Sequence, residues 1–370
     1  MKSIIKWPGG KSTEYKNIKQ LIPDYDRYVE PFFGGGAIFF KEEPKSSIIN
    51  DLNEDLISFY SLIKTNNSIF YYYLEELLTI RNKIFRFTEN NSPKLSLLFK
   101  ELIHQNINKK EFKIKTKEVL NNNREIFNEL FSEYEMIESN RLFKEIINRL
   151  NRKIIRVNKI IQKDKKQFTE QDLLENIKTG FVGGLYYHLR DRYNNYRISE
   201  KINKNEMYFA IYYYVREFCY GSMFRFNKSG GFNVPYGGNS YNEKDFEEKI
   251  KGLYKAQKYF KNTKVYNLDF KDFFNKVEVN KNDFIFLDPP YHSEFSTYGE
   301  NEFTKKDQKR LEKSLRNISG NFLLIIKNTD FIYNLYNRKE YNINSFNKKY
   351  SANIKNRNNR EVKHLIITNY

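Results

Sequence analysis

Residues 28–51, YVEPFFGGGAIFFKEEPKSSIIND, decide the fold. Residues 28–31 read as a short strand, Gly34-Gly35-Gly36 as a sharp turn leading into a second apolar run, and residues 47–50 as another strand, ending in Asp51. Residues 55–63 then carry Leu56, Phe59, Tyr60 and Ile63 at helical spacing, and residues 14–21 upstream form a helical stretch behind the polar start SIIKWPGGKST. A parallel α/β sheet begins this way.

Outward from that stretch the character changes. From residue 69 to 178 there is no glycine, and Lys, Glu and Asn dominate. Apolar residues recur at three and four: Leu142, Ile146 and Leu150 share one helix face, while Arg149, Arg152, Arg156 and Lys159 fall largely elsewhere. This reads as a helical insertion whose basic residues either form a solvated face or follow a phosphate backbone. Glycine returns at Gly180, and a turn-rich stretch, FRFNKSGGFNVPYGG, occupies residues 224–238. The α/β pattern then resumes. Residues 284–287 (FIFL) form a buried strand running into Asp288-Pro289-Pro290-Tyr291, followed by a helix at 311–315, a strand at 322–326, a helix at 330–336 and a last strand at 365–368. The Asn/Lys-rich residues 347–360 read as a loop. The expected organisation is a catalytic domain in two pieces, 1–65 and 261–370, forming one sheet around an inserted helical and target-recognition region, 66–260.

Composition narrows the function. The 370 residues are ample for a core, and 29 Tyr with 32 Phe argue against disorder. The formal charge of +18 points to a polyanionic partner, nucleic acid being the commonest, although an AT-rich genome enriches Lys and Asn by itself. A single cysteine, Cys219, rules out an internal disulfide framework and a Cys-built zinc site, and His104, His188, His292 and His364 lack metal-ligand spacing, so no metal is expected. No apolar run reaches membrane-spanning or signal-peptide length, so the expectation is a cytoplasmic protein, associated with the nucleoid through DNA.

Four segments carry the chemistry. Gly10-Lys11-Ser12 in KWPGGKS imitates the end of a phosphate-binding loop, but Ile5 stands where that loop needs its first glycine, and no strand precedes it. Glu30-Pro31-Phe32-Phe33-Gly34-Gly35-Gly36 lets the backbone turn and a cofactor approach without a Cβ in the way, as a plain tight turn also would. Asp51 at a strand end can accept hydrogen bonds from both hydroxyls of a ribose, or can cap the helix that follows. At Asp288-Pro289-Pro290-Tyr291 two prolines fix an extended backbone, so a carboxylate beside a main-chain carbonyl projects into a rigid pocket with an aromatic wall.

In this order the segments resemble the Dam-type (D12 class) family of site-specific adenine-N6 DNA methyltransferases. The resemblance runs through KWPGGK, EPFFGGGAIFF, IND at Asp51, RFNKSGGFNVPYG at 225–237, LDF at 268–270, DPPY at 288–291 and the closing LIITNY. Smaller family members lack a segment like 81–178. The family fold would be a Rossmann-like S-adenosylmethionine-dependent methyltransferase sheet with an inserted, mainly helical target-recognition domain.

The resemblance implies S-adenosyl-L-methionine as methyl donor. The glycine turn, Gly34 to Gly36 with Phe32 beside it, would pass under the cofactor and Asp51 would take its ribose. Trp7 and Lys11 would line its methionine end, and Asp269 and Phe270 would border its adenine, with Asp288 completing the pocket. The target adenine must be flipped from duplex DNA to reach it. Its N6 is a poor nucleophile, and the Asp288 carboxylate with the Pro289 carbonyl would accept its two N–H bonds while Pro290 holds the backbone and Tyr291 stacks on the base. The stretch 225–237 reads as a hairpin, with Arg225 at a base edge or in a structural ion pair, Asn227 and Pro235 at the DNA surface and Lys228 on a phosphate. From their charge alone, Lys348, Lys349, Arg357 and Arg360 would either clamp the backbone or form a solvated charged loop.

Other chemistries fit less well. Cytosine-C5 transfer needs a cysteine nucleophile, and Cys219, with no proline before it, reads as core. Cytosine-N4 and RNA-adenine enzymes usually carry Ser or Asn where Asp288 stands, and a glutamine-amide substrate sits poorly with a charge of +18. A non-catalytic DNA-binding protein on the same scaffold is disfavoured by the intact DPPY, although Lys327-Asn328 departs from the Ser-Asn common in relatives. The implied target is adenine in a specific sequence, with GATC as a first guess, and a cognate restriction endonuclease as an implied partner.

Overall fold

The structure, a computed structural model, describes residues 1–164, 168–199, 203–242, 244–290, 303–349 and 361–370. In chain order the elements are α1 (Tyr15–Ile18), β1 (Arg27–Glu30), α2 (Phe39–Glu42), β2 (Ser47–Asn50) and α3 (Glu54–Lys64). Helices α4 (Ser68–Ile103), α5 (Lys109–Asn121), α6 (Arg124–Phe131), α7 (Ser139–Asp164), α8 (Glu170–Ile198), α9 (Glu206–Phe218) and α10 (Phe246–Phe260) follow. The chain closes with β3 (Thr263–Tyr266), α11 (Phe270–Lys276), β4 (Asp283–Leu287), α12 (Lys305–Leu315), β5 (Asn321–Lys327), α13 (Asp330–Tyr336), β6 (Asn342–Lys349) and β7 (Glu361–Thr368). Two compact units result, residues 1–66 with 253–370 and residues 67–252. No helix among the described residues is long and apolar enough to cross a membrane.

The first unit is a Rossmann-like α/β sheet with strand order β3-β2-β1-β4-β5-β7-β6. β3, β2, β1, β4 and β5 run parallel, and β7 enters antiparallel between β5 and β6. The central strands are buried on both faces, which is why β4 and β5 are unbroken apolar runs. Val29, Ile285, Leu324 and Ile367 pack with Phe273, Leu311 and Ile332 from α11–α13. Tyr28 and Phe284, alternating with them, meet each other at 5.9 Å, and Tyr28 also meets Phe39 of α2. Strand order reverses between β1 and β4, and such a reversal opens a crevice at the carboxyl ends of the strands, where ligands of open α/β sheets bind.

Two edge strands escape the apolar-run criterion. β3 is half-exposed, and β6 is the polar run NINSFNKK. The expected loop at 347–360 is corrected accordingly: Asn347, Lys348 and Lys349 extend β6, opposite Lys363, Val362 and Glu361 of β7. Ladder pairing is made by the main chain and needs no apolar side chain on an edge. Residues 350–360, with Arg357 and Arg360, lie outside the described residues.

The second unit is helical. Gly180, Gly183 and Gly184 sit inside α8. A Cβ on Gly180 would lie 2.7 Å from the Leu150 Cα, and one on Gly184 2.7 Å from the Ile146 Cα, so the glycines let α7 and α8 pack backbone to backbone in antiparallel fashion. The stretch expected as a hairpin is a tight loop with a single bridge, Phe226 to Phe232, rather than two strands. Asn227 N–H donates to the Gly231 carbonyl (2.8 Å) and Asn233 N–H to the Arg225 carbonyl (2.9 Å). Helix α8 holds this loop: the Tyr186 hydroxyl donates to the Val234 carbonyl, Asn194 bonds the Phe232 amide and carbonyl, and Arg197 donates to the Gly230 carbonyl.

Candidate active site

Glu30, Asp51 and Asp288 stand at the carboxyl ends of the adjacent strands β1, β2 and β4, and the glycine turn crosses above the first two. Phe33 N–H donates to the Asn50 carbonyl (2.9 Å), Gly34 N–H to Asp51 Oδ2 (2.8 Å), and the Tyr60 hydroxyl to the Gly34 carbonyl (2.8 Å). Gly34 and Gly36 take φ of 48° and 62°, in the left-handed region. Space demands them as well, since a Cβ would come within 2.8 Å of the Trp7 ring at Gly34 and 2.6 Å of the Phe33 ring at Gly36. Trp7 therefore packs against the turn.

Asp51 does not cap α3. That place belongs to Asn53, whose side chain accepts from Leu56 N–H (2.9 Å). Asp51 instead takes one amide on each oxygen, Gly34 N–H on Oδ2 and Asn53 N–H on Oδ1 (2.9 Å), and so ties the turn to the helix start. Burial raises its carboxyl above the usual range, and those amides work against the shift. Each oxygen keeps lone-pair capacity for another donor.

Asp288 faces Lys11. The ammonium donates to both carboxylate oxygens, at 2.5 and 2.6 Å, and to the Gly9 carbonyl at 3.0 Å. Lys11 is 2% exposed and the Asp288 side chain 19%. Pro289 is buried and Pro290 exposed. Buried Gln308 of α12 donates to the Pro290 carbonyl (3.4 Å). Tyr291 lies outside the described residues.

Glu30 is a site residue to which the sequence assigned no role. It is 2% exposed and accepts from the Tyr28 hydroxyl at 2.8 Å. Burial pushes its carboxyl well above the usual range, and the charges of Asp288 and Asp51 add to the shift. Asn50 is another: its side chain bonds the Pro31 carbonyl and both the amide and the carbonyl of Leu268, joining two loops over the sheet. An acid and an amide ending otherwise apolar strands were the available signal.

Phe32 and Phe270 come together, with ring centres 5.6 Å apart, and Phe303 sits edge-on to Phe32 at 5.8 Å. Asp269 caps α11 through Lys271 N–H (2.9 Å) and accepts from Arg310 (2.6 Å), whose guanidinium lies over the Phe270 ring. Arg310 had no sequence signal, because α12 brings it across from 41 positions away. Among the described residues no group of His, Cys, Asp and Glu could hold a metal ion.

Of the expected DNA-contacting residues, Arg225, Asn227, Lys228 and Pro235 lie in the helical unit. Arg225 is exposed, and its guanidinium donates to the Asn233 carbonyl at 2.8 Å. Asn227 Oδ1 accepts from the amides of Ser229 and Gly231 and so shapes the turn. Lys228 and Pro235 are exposed. Arg357 and Arg360 are outside the described residues.

Comparison with known proteins fits this geometry. The sequence profile of the D12 class N6 adenine-specific DNA methyltransferases matches residues 7–142 and 136–352. The Type II methyltransferase M.CviBI of Paramecium bursaria Chlorella virus NC1A is 26% identical, covering 100% of both chains. The Type II methyltransferase M.MjaIII of Methanocaldococcus jannaschii is also 26% identical, over 100% of this chain and 99% of its own. The DNA adenine methylase of Escherichia coli is 38% identical over 63 residues, 17% of this chain and 23% of its own.

Proposed function

Because the chain belongs to the D12 class of N6 adenine-specific DNA methyltransferases, we propose that it moves the methyl group of S-adenosyl-L-methionine to N6 of an adenine flipped out of a specific double-stranded DNA sequence. The observation that carries this reading is the buried ion pair of Lys11 and Asp288 at the end of β4, beside the glycine turn and at the reversal of strand order.

Several features support this donor. Asp51 and Asp288 bring two carboxylates to neighbouring strand ends, Lys11 balancing the second, and the left-handed Gly34 and Gly36 hold the turn between them. Asp51 retains acceptor capacity for ribose hydroxyls, and Phe32, half-buried against Phe270, offers an aromatic side chain to an adenine ring. Asp269 would act through the α11 start and Arg310 rather than as an unengaged acceptor. When bound, the donor supplies an electrophilic sulfonium methyl.

The chain's own groups handle the nucleophile. Asp288, held in place by Lys11, accepts one N6–H bond, and the Pro289 carbonyl accepts the other. Those two acceptors draw the amine nitrogen away from conjugation and stabilise positive charge as it develops. Each carboxylate oxygen accepts more than one bond, so Lys11 and the amine can share Asp288. Tyr291 would stack on the flipped base, offsetting roughly 1–3 kcal/mol of the extrusion cost. In the helical unit Arg225 would read a base edge and Lys228 contact a phosphate, with Asn227 and Pro235 shaping the loop between them.

Tritium transfer from labelled donor to DNA tests this. Asp288→Ala is expected to abolish transfer while duplex affinity stays within about twofold; transfer near the wild-type rate would remove Asp288 from the chemistry. Long-read sequencing of DNA from expressing cells reports the base and its context, with GATC the first sequence to look for. The Type II names of the full-length relatives support a restriction-modification setting with a cognate endonuclease.

A further inference from the structure

Helix α7 carries Arg141, Lys144, Asn148, Arg152, Arg156, Lys159 and Lys163 at intervals of three and four residues, so they form one stripe along its outer face. All seven are exposed, and the stripe runs 22 residues, about 33 Å at 1.5 Å per residue. That is close to one turn of B-form DNA. A charged helix face ordinarily carries both signs in i,i+4 pairs. Here the acids of the neighbourhood pair at one end or off the stripe: Glu138 and Asp191 with Arg141, and Glu145 with Arg149. Asp164 follows the last lysine. Lys144, Arg152, Arg156, Lys159 and Lys163 have no ion pair with any described residue.

The stripe also has a fixed relation to the loop at 225–237. Both are mounted on α8, the loop through Tyr186, Asn194 and Arg197, and α7 through the close contacts at Gly180 and Gly184. Because α7 runs antiparallel to α8, its Arg141 end lies beside Asp191, alongside the residues that hold the loop. Its other end leads away from the loop. On the flank nearest α8, Lys153 donates to Asn239, two residues beyond the loop.

We propose that α7 is a phosphate-tracking rail, which extends the contact with duplex DNA by up to one helical turn beyond the bases presented to the recognition loop. The inference rests on the proposed DNA substrate and assigns a role to the long helical insertion. Unpaired, solvated cations at this density displace counterions from a duplex that carries one charge per about 1.7 Å of axis. They add affinity without sequence preference, the division of labour general to phosphate contacts.

The test uses the full chain and its triple variant Arg152→Gln/Arg156→Gln/Lys159→Gln, with duplexes of 14 and 34 base pairs containing the methylated sequence. Affinity is measured against KCl concentration and methyl transfer at saturating DNA. For the long duplex, the variant's slope of log K against log salt is expected to be shallower by about 2–3, near 0.9 per lost contact. Its affinity there should fall at least about tenfold near 0.15 M salt. Transfer at saturation and affinity for the short duplex should change by less than about twofold, and Arg152→Lys/Arg156→Lys should keep the wild-type slope. An unchanged slope and unchanged length preference in a variant that melts like wild type would overturn the rail. A wild-type protein that transfers no methyl group to DNA would overturn the proposed function instead.

Discussion

In the sheet unit, Lys11 is buried and gives its ammonium to both oxygens of Asp288, near the carboxyls of buried Glu30 and half-buried Asp51. In the helical unit, Arg152, Arg156 and Lys159 stand in solvent with no ion pair among the described residues. The same kind of charge has opposite physics in the two settings. Removed from water, a charge is expensive alone and interacts strongly with its partner, so it can hold one geometry. Left in water, it is screened within about 8–10 Å and acts by number and position along a line. A methyl transfer site needs the first, and a long anionic partner suits the second.

The contrast is broken most directly at Lys11. Lys11→Met should lower methyl transfer by about 100-fold or more, because Asp288 is left unbalanced beside Glu30 and Asp51. Single-turnover rates at low and high salt check this; the loss should be nearly independent of salt, unlike the binding defect of the α7 variants. A loss that shrinks strongly with salt would mean the pair acts as a surface charge.

Acid and base should separate the units next. His188 in α8 is 1% exposed, and burial, aided by Arg192 and Arg141, brings its imidazole down to about 4. Its folded value lies below the unfolded 6.5, so its contribution is intact above pH 6.5 and is lost as the pH falls through 4. That amounts to about 3 kcal/mol. Glu30 has the reverse sign. Its folded value lies above 4.5, so the stability it contributes is complete below pH 4.5 and lost as the pH rises through the folded value. Hydrogen exchange resolved by segment should show the helical unit loosening first on acidification, with His188→Gln removing that trend. Glu30→Gln should instead flatten the alkaline side of the sheet unit's profile.

The smallest effect tests packing in the helical unit. Gly184→Ala places a methyl 2.7 Å from the Ile146 Cα and should destabilise the α7–α8 pair by about 1–3 kcal/mol. Calorimetry should show this unit's transition lowered while donor binding, proposed for the sheet unit, is unchanged. A shift in donor affinity would show that the two units do not respond independently.

Legibility in the sequence followed burial. β4 and β5, apolar on both faces, were plain, as were β1 and β2 with the glycine turn between them. The edge strands β3 and β6 were not, because half their side chains meet water and their order comes from main-chain pairing. The return of glycine at Gly180 was visible, but not that Gly180 and Gly184 are where two helices touch. Asp288 and Asp51 were visible as acids at strand ends. That Lys11 would close on Asp288 was not, because 277 residues separate them and no local pattern encodes the meeting.

The amino-acid order alone determined which segments became double-buried strands, where the backbone had to reverse through glycine, and which acids the strand ends carry. These are short-range consequences of apolar periodicity and allowed backbone angles. Only the folded chain decided what those acids face: Lys11 on Asp288, Gly34 and Asn53 on Asp51 and Tyr28 on Glu30, and that α8 holds both the loop at 225–237 and α7. Such pairings depend on strand order and helix approach, which no local window contains, and they set the desolvation and electrostatics on which the chemistry depends.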